Sequence, residues 1–375
     1  MDREAPLVIV GGGLAGGLAA LALAAKRPDV PLVLVEAAER IGGNHLWSFF
    51  DSDIAPADRW LVAPLITRRW TSYDVHFPAY TRVFDEGYQS IESERLDRTV
   101  RAALPAEAIV RGEASVVDRG GVTLSDGSRI AARRVIDMRG AGDLSRIGCG
   151  WQKFVGQAFT LDAPHGLTRP TIMDATVAQI DGYRFVYVLP FDATNVFVED
   201  TYYSDTSDLD VTGVKARIAS YVAARGWTAR ATNRIETGVL PVVTGGAFDA
   251  YWPPSDALDR GGVRAGLFQP LTSYSLPDAV RFAAALAVDP ELETRPYSKD
   301  HWARGQFNRL LTRMLFKAAE PADRYRVLQR FYRLPASLIA RFYAGRSTLA
   351  DKARVLIGKP PVRIGRAIRA VLEKQ

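Results

Sequence analysis

The stretch LVIVGGGLAG, Leu7 to Gly16, constrains this chain more than any other. A short apolar run meets Gly11, Gly13 and Gly16 in G-x-G-x-x-G spacing, and an Ala/Leu-rich helix is predicted to follow to about Lys26. PLVLV (Pro31–Val35) reads as a second strand ending at Glu36, 20 residues beyond Gly16. Strand, glycine turn, helix and strand in this order predict a βαβ unit that binds a dinucleotide. Glycine permits the tight turn, the helix N-terminus offers free N–H groups to a pyrophosphate, and Glu36 suits an adenosine ribose.

Later segments point to a flavin. Gly42, Gly43 and Asn44 follow the second strand, where the chain of a flavin-binding variant folds back along its cofactor. Arg134–Gly140 reads as a returning strand ending in a glycine turn. Its Gly140 lies at the cofactor, and Arg139 either meets a phosphate or is solvated. Residues 261–277, GGVRAGLFQPLTSYSLP, resemble the flavin-contacting loop and helix of flavoprotein hydroxylases and reductases, with Gly266 and Thr272 against FAD. Val263 stands where those proteins usually carry an Asp. The fold class expected is α/β, with a Rossmann-like FAD-binding domain of the glutathione-reductase/hydroxylase type.

At 375 residues the chain is long for one domain. Residues 1–60, 91–150 and 255–298 are assigned to the discontinuous FAD-binding domain. Residues 61–90, rich in aromatics, and 151–254, with short alternating runs, are assigned to an inserted antiparallel β-rich substrate domain. From 299 to 375 the spacing is helical and strongly basic, with 18 Lys/Arg against 5 Asp/Glu. Such a region suits an anionic membrane surface or a solvated helical bundle; no nucleic-acid motif accompanies it. Cys149 is the only cysteine, which excludes internal disulfides and fits a reducing cytosol. His45, His76, His165 and His301 show no metal-ligand spacing, and no metal is expected. Acidic Asp2 and Glu4 argue against a signal peptide, and no apolar run reaches the ~20 residues of a membrane span.

One strand is unusual. In FVEDTYYSD (Phe197–Asp205) two carboxylates stand side by side among apolar and aromatic residues. Period-two alternation sends Phe197, Glu199, Thr201 and Tyr203 to one face and Val198, Asp200 and Tyr202 to the other, so the acids do not share a proton. With GGNHLWSF (Gly42–Phe49), IMDAT (Ile172–Thr176), GYRFVY (Gly182–Tyr187), RAGLF (Arg264–Phe268) and RFYAG (Arg341–Gly345), this strand resembles the bacterial lycopene β-cyclases over nearly the whole chain. Phe50 and Gln269 depart from that family's pattern, each standing where a His is expected.

The resemblance implies Glu199 as the essential acid and Asp200 as its support. It implies FAD, active when reduced, with NAD(P)H as reductant, and lycopene or related acyclic carotenoids as substrate. It also favours peripheral contact with the inner face of the cytoplasmic membrane. Protonating an alkene needs an acid kept neutral by burial, which would then face a carbocation as an anion. Asp174 is a candidate for the same cavity or a strand-end cap. Tyr73, Tyr183, Phe185 and Tyr187 are candidates to face a cation through their rings, or are core. A redox flavoprotein acting on prenyl lipids, such as a saturase or hydroxylase, and a flavin-containing carotenoid carrier are the competing readings. Oligomeric state is left open.

Overall fold

The computed structural model describes residues 5–357, 362 and 364–372. Residues 1–4, 358–361, 363 and 373–375 lie outside the described residues. Leu7–Val10 is the middle of a parallel five-stranded sheet, ordered Asp259–Arg260, Arg134–Asp137, Leu7–Val10, Leu32–Glu36, Ile109–Arg111. All four residues of the central strand are buried, as a strand covered on both faces requires. The Leu14–Lys26 helix lies over this sheet and packs against Leu276–Val288. Gly16 makes the turn possible, because a Cβ there would fall 1.9 Å from the Gly11 carbonyl oxygen.

The second large sheet has seven strands, ordered Ala229–Gly245, Gly148–Leu161, Asn195–Ser204, Tyr183–Pro190, Thr171–Asp174, Tyr73–Phe77 and Tyr80–Phe84. The expectation of a wholly antiparallel sheet needs one correction: Thr171–Asp174 runs parallel to Tyr73–Phe77. These strands come from separate excursions out of the parallel domain, so no hairpin dictates their direction. Leu46–Phe50, Tyr88–Glu92 and Ile66–Trp70 form a small antiparallel sheet of their own.

The seven-stranded sheet is covered differently on its two faces. One carries an aliphatic core of Val186, Val196 and Val198 under the Val211–Ala224 helix, which Asp210 caps by accepting from Gly213 N–H. The other carries an aromatic core of Tyr73, Phe84, Phe185 and Phe197, closed by Phe316, Tyr332 and Phe342 of the C-terminal helices. Among the described residues no helix is long and apolar enough to cross a membrane.

Candidate active site

A cavity of ≈ 300 Å³ opens on the aromatic face. Its walls include Phe50, Tyr88, Phe185, Tyr187, Phe197 and Glu199, and, from the 262–276 loop, Val263, Phe268, Thr272 and Tyr274. The residue expected to deliver a proton and the loop expected to touch a flavin thus share one space.

Alternation works here as the sequence predicts. Asn195–Ser204 is a continuous strand, and Glu199 lines the cavity while Asp200 is fully buried on the opposite face. Glu199 is half-buried and lines the cavity. Loss of water, then the charge of Glu236, pushes its carboxyl up to about 8, against a 2.7 Å hydrogen bond donated by the Thr201 hydroxyl. At neutral pH it therefore carries its proton. Asp200 accepts from Arg184 Nε and Nη2 at 2.8 and 2.9 Å and from the Tyr202 hydroxyl at 2.8 Å. It is a bidentate buried ion pair, outside the cavity, that holds the strand in place.

Other candidates divide. Phe185 and Tyr187 line the cavity. Tyr183 stacks on Phe185 at 5.0 Å but faces a second apolar lobe of ≈ 120 Å³, which adjoins the first through Met173, Tyr203, Thr272 and Tyr343. Tyr73 stacks on Phe84 at 4.9 Å within the core. Asp174 does not line the cavity. It accepts from Thr176, Tyr221 and Arg225, and although burial works to raise its carboxyl, those partners hold it below the ordinary range. A register shift between Thr171 and Asp174 re-aims the strand, so Ile172 and Met173 both line the cavity and Asp174 turns away.

The residues around the glycine loop fit a dinucleotide. A Cβ on Gly13 or on Gly140 would meet nothing within 4 Å. The helix that starts at Leu14 has no side-chain cap and no acid in its first turn, leaving its N–H groups and dipole for an anion. Glu36 accepts from Gly12 N–H at 2.6 Å and Ala38 N–H at 2.7 Å, which leaves carboxylate lone pairs for a further donor. Gly42 donates to the Gly12 carbonyl at 2.7 Å, and it and Gly43 turn with positive φ, bringing the chain back beside the loop.

Arg139 and Gly266 make contacts within the fold. The Arg139 guanidinium is engaged by Asp137 and the Ala114 carbonyl, so most of its donors are spent within the fold. Gly266 faces the ring of Trp302, 3.1 Å from where its Cβ would lie, and serves packing beneath the loop. Thr272 does line the cavity, and Gln269 fixes it there by accepting from the Leu271 and Thr272 amides. Phe50 packs 5.1 Å from each of Tyr73, Tyr88 and Tyr343, extending the aromatic wall.

The sequence reading missed three groups. Glu236, with a side chain 3% exposed, lines the same cavity and accepts from Leu46 N–H at 3.0 Å. His45, 3.0 Å from Glu236 through Nδ1, lines it too. Asp53 accepts from the Tyr274 hydroxyl at 2.6 Å, and burial pushes its carboxyl up to about 7. Only the Thr-Asn-Arg-Ile-Glu run of alternating residues hinted that position 236 belonged to a strand at all.

Residues 6–369 match the family model described as lycopene cyclase protein. The chain is 44% identical over 373 residues to a lycopene beta-cyclase of Pseudescherichia vulneris, covering 98% of this chain and 97% of that protein. It is 41% identical over 379 residues to one from Pantoea ananas, covering 99% of both. Among solved structures it is similar to a tryptophan 6-halogenase from Streptomyces toxytricini, with TM-score 0.63, 14% identity, and 98% and 93% of the two chains covered. A Klebsiella pneumoniae protein complexed with FAD and uric acid matches with TM-score 0.60 and 13% identity over 92% and 97%. These structures share the fold.

Proposed function

The chain belongs to the lycopene cyclase protein family, and we propose that it closes the linear ψ-ends of lycopene to β-ionone rings, through γ-carotene to β-carotene. The reaction is an acid-initiated cyclisation without net redox change. The observation that carries this reading is Glu199, a carboxyl protonated at neutral pH and directed into an aromatic cavity walled on another side by the 262–276 loop.

In this reading Glu199 donates its proton to the terminal double bond, and the neighbouring double bond attacks the tertiary cation. The remaining carboxylate then lies beside positive charge in a space with little water. At a separation of ~4 Å and an effective dielectric of ~20 that attraction amounts to about 4 kcal/mol, or roughly three decades in rate. Rings of Phe185, Tyr187 and Phe197 line the cavity, where they exclude water and offer π electrons to a cation. Asp200 supports Glu199 by pinning its strand through Arg184. FAD held by Gly11–Gly16, Glu36, Gly42, Gly43, Gly140 and Thr272, and kept reduced by NAD(P)H, would supply a second negative charge at the cavity.

The second lobe gives the rest of a C40 chain an apolar berth. Leu356 lines that lobe and is itself 47% exposed, with Leu349, Ile357, Ile368 and Leu372 exposed on the same C-terminal helices. Greasy side chains set among arginines support extraction of substrate at the inner face of the cytoplasmic membrane. Anaerobic incubation with lycopene in liposomes, flavin prereduced, tests the reading. A cyclic product of unchanged mass is expected. A product altered by two hydrogens or one oxygen favours the redox reading, and unaltered lycopene favours a carrier.

A further inference from the structure

Ring closure ends with the loss of a proton from a ring carbon, and the cavity contains a second carboxyl positioned for it. Strand register places Glu199 opposite Gly156, and Gly156 opposite Glu236, so the two acids stand on the same face, one strand either side of a glycine. Two strand spacings separate their backbones by about 10 Å, and both side chains line the same cavity. The floor between them is the Phe197 ring, which lies where a Cβ on Gly156 would be.

We propose that Glu236 is the base of the cyclisation, which makes the cavity a two-acid device with Glu199 as donor and Glu236 as acceptor. The proposal rests on the cyclase reading above. The proton of Glu199 forms the new C–H bond on the terminal alkene carbon, and the second alkene forms the ring C–C bond. The pair of the departing C–H bond becomes the ring double bond, and its proton goes to the Glu236 carboxylate. Entering and leaving protons thus sit on different ring carbons and use different carboxyls. Glu236 is prepared to accept: the Leu46 amide and His45 approach its two oxygens at 3.0 Å, and among the described residues no Lys or Arg pairs with it. His45, its side chain 47% exposed, carries the proton on to water, and Glu199 regains one from water between turnovers.

The test compares wild-type holoenzyme, Glu236→Gln and Glu236→Asp with lycopene in liposomes, flavin reduced anaerobically, reading both rate and ring double-bond position. Gln keeps an acceptor for Leu46 N–H, so folding is expected to survive. The expected result for Glu236→Gln is a loss of about 100-fold or more in turnover, with residual rings whose double bond is displaced because the cation yields its proton elsewhere. Glu236→Asp, which keeps a carboxylate, restores the wild-type isomer at reduced rate. A Glu236→Gln enzyme that makes only wild-type rings overturns the proposal, since a role confined to charge would move the pH–rate profile and leave the isomer alone. Should Glu236→Gln fail to fold, wild type decides with lycopene deuterated at the carbon that loses its proton. Loss of the label to solvent is expected, and its reappearance on the protonated carbon of the second ring overturns the proposal. A wild-type protein that forms no ring at all would instead count against the cyclase reading.

Discussion

The Phe197 ring fills the place of the side chain that Gly156 lacks: a Cβ on Gly156 would fall 2.2 Å from Phe197 Cζ. Gly156→Ala therefore forces the ring off the cavity floor between Glu199 and Glu236. Overpacking of this kind costs about 1–3 kcal/mol, a fall of a few degrees in Tm. Turnover is expected to drop by about ten-fold or more, out of proportion to the stability lost. Thermal melts and single-turnover rates on the same preparation measure both.

Glu199 ties stability and activity to pH in a defined direction. Its folded carboxyl titrates near 8, while an unfolded glutamate titrates near ~4.3. Below the unfolded value both states are protonated and the contribution is fully present. As pH rises from there through 8 the unfolded chain releases its proton first, so stability falls. Asp53, pushed up to about 7 by burial, acts in the same direction. Wild-type Tm is expected to decline between pH 5 and 9, measured against controls for other titrating groups, and Glu199→Gln to decline less. Cyclisation is expected to fall off above pH 8 in wild type and to be absent in Glu199→Gln with flavin content unchanged.

Legibility in the sequence followed the range of the interaction that decides each feature. The glycine loop, the Leu14 helix and the terminal Glu36 depend on near neighbours, so spacing alone located them. The opposed faces of Glu199 and Asp200 follow from the pleat of one strand. Of the two places the sequence left open for Asp174, the strand-end one is taken, because a register shift against Tyr73–Phe77 and Tyr183–Pro190 breaks the alternation that would aim it at the cavity. Spacing does not show that Gly266 packs against Trp302, on a helix 36 residues later. Glu236 was invisible for the same reason: only the pairing of Gly148–Leu161 with strands on both sides brings it into line with Glu199.

Asp200 separates structural support from chemistry. Removing one partner of its buried bidentate pair strands the Arg184 charge among Val186, Val198 and Tyr202. Asp200→Ala is expected to lose about 3–5 kcal/mol. Replacing both partners at once, Asp200→Leu with Arg184→Met, is expected to recover part of that, since the buried guanidinium goes with its partner while Arg217, 3.9 Å from Asp200, is 31% exposed and keeps its bond to the Tyr202 hydroxyl. Denaturant melts of the single and double variants measure the difference. Cyclisation by the refolded double variant, normalised to bound flavin, shows whether Asp200 acts only through its strand.

The second lobe and the exposed C-terminal apolar residues make separate predictions about substrate delivery. Leu328 and Leu311 line the lobe, and a Trp at either position would fill much of its ≈ 120 Å³. Leu328→Trp is expected to slow conversion of lycopene about ten-fold or more, the scale of a steric misfit in an apolar pocket, while sparing a shorter acyclic polyene that needs only the first cavity. On the outside, Leu356 and Ile357 are 47% and 60% exposed at the end of the helix that begins at Leu349. Burying such a side chain completely contributes about 1.5–3 kcal/mol, and only about half of each remains to be buried, so Leu356→Ser with Ile357→Ser is expected to cut vesicle binding by about one to two decades. Co-sedimentation with anionic vesicles, repeated with neutral ones and at raised salt, separates this apolar share from the part carried by arginines, which is screened beyond about 8–10 Å. Equal partitioning of the variant and the wild type into anionic vesicles would place the contact with lipid elsewhere on the molecule.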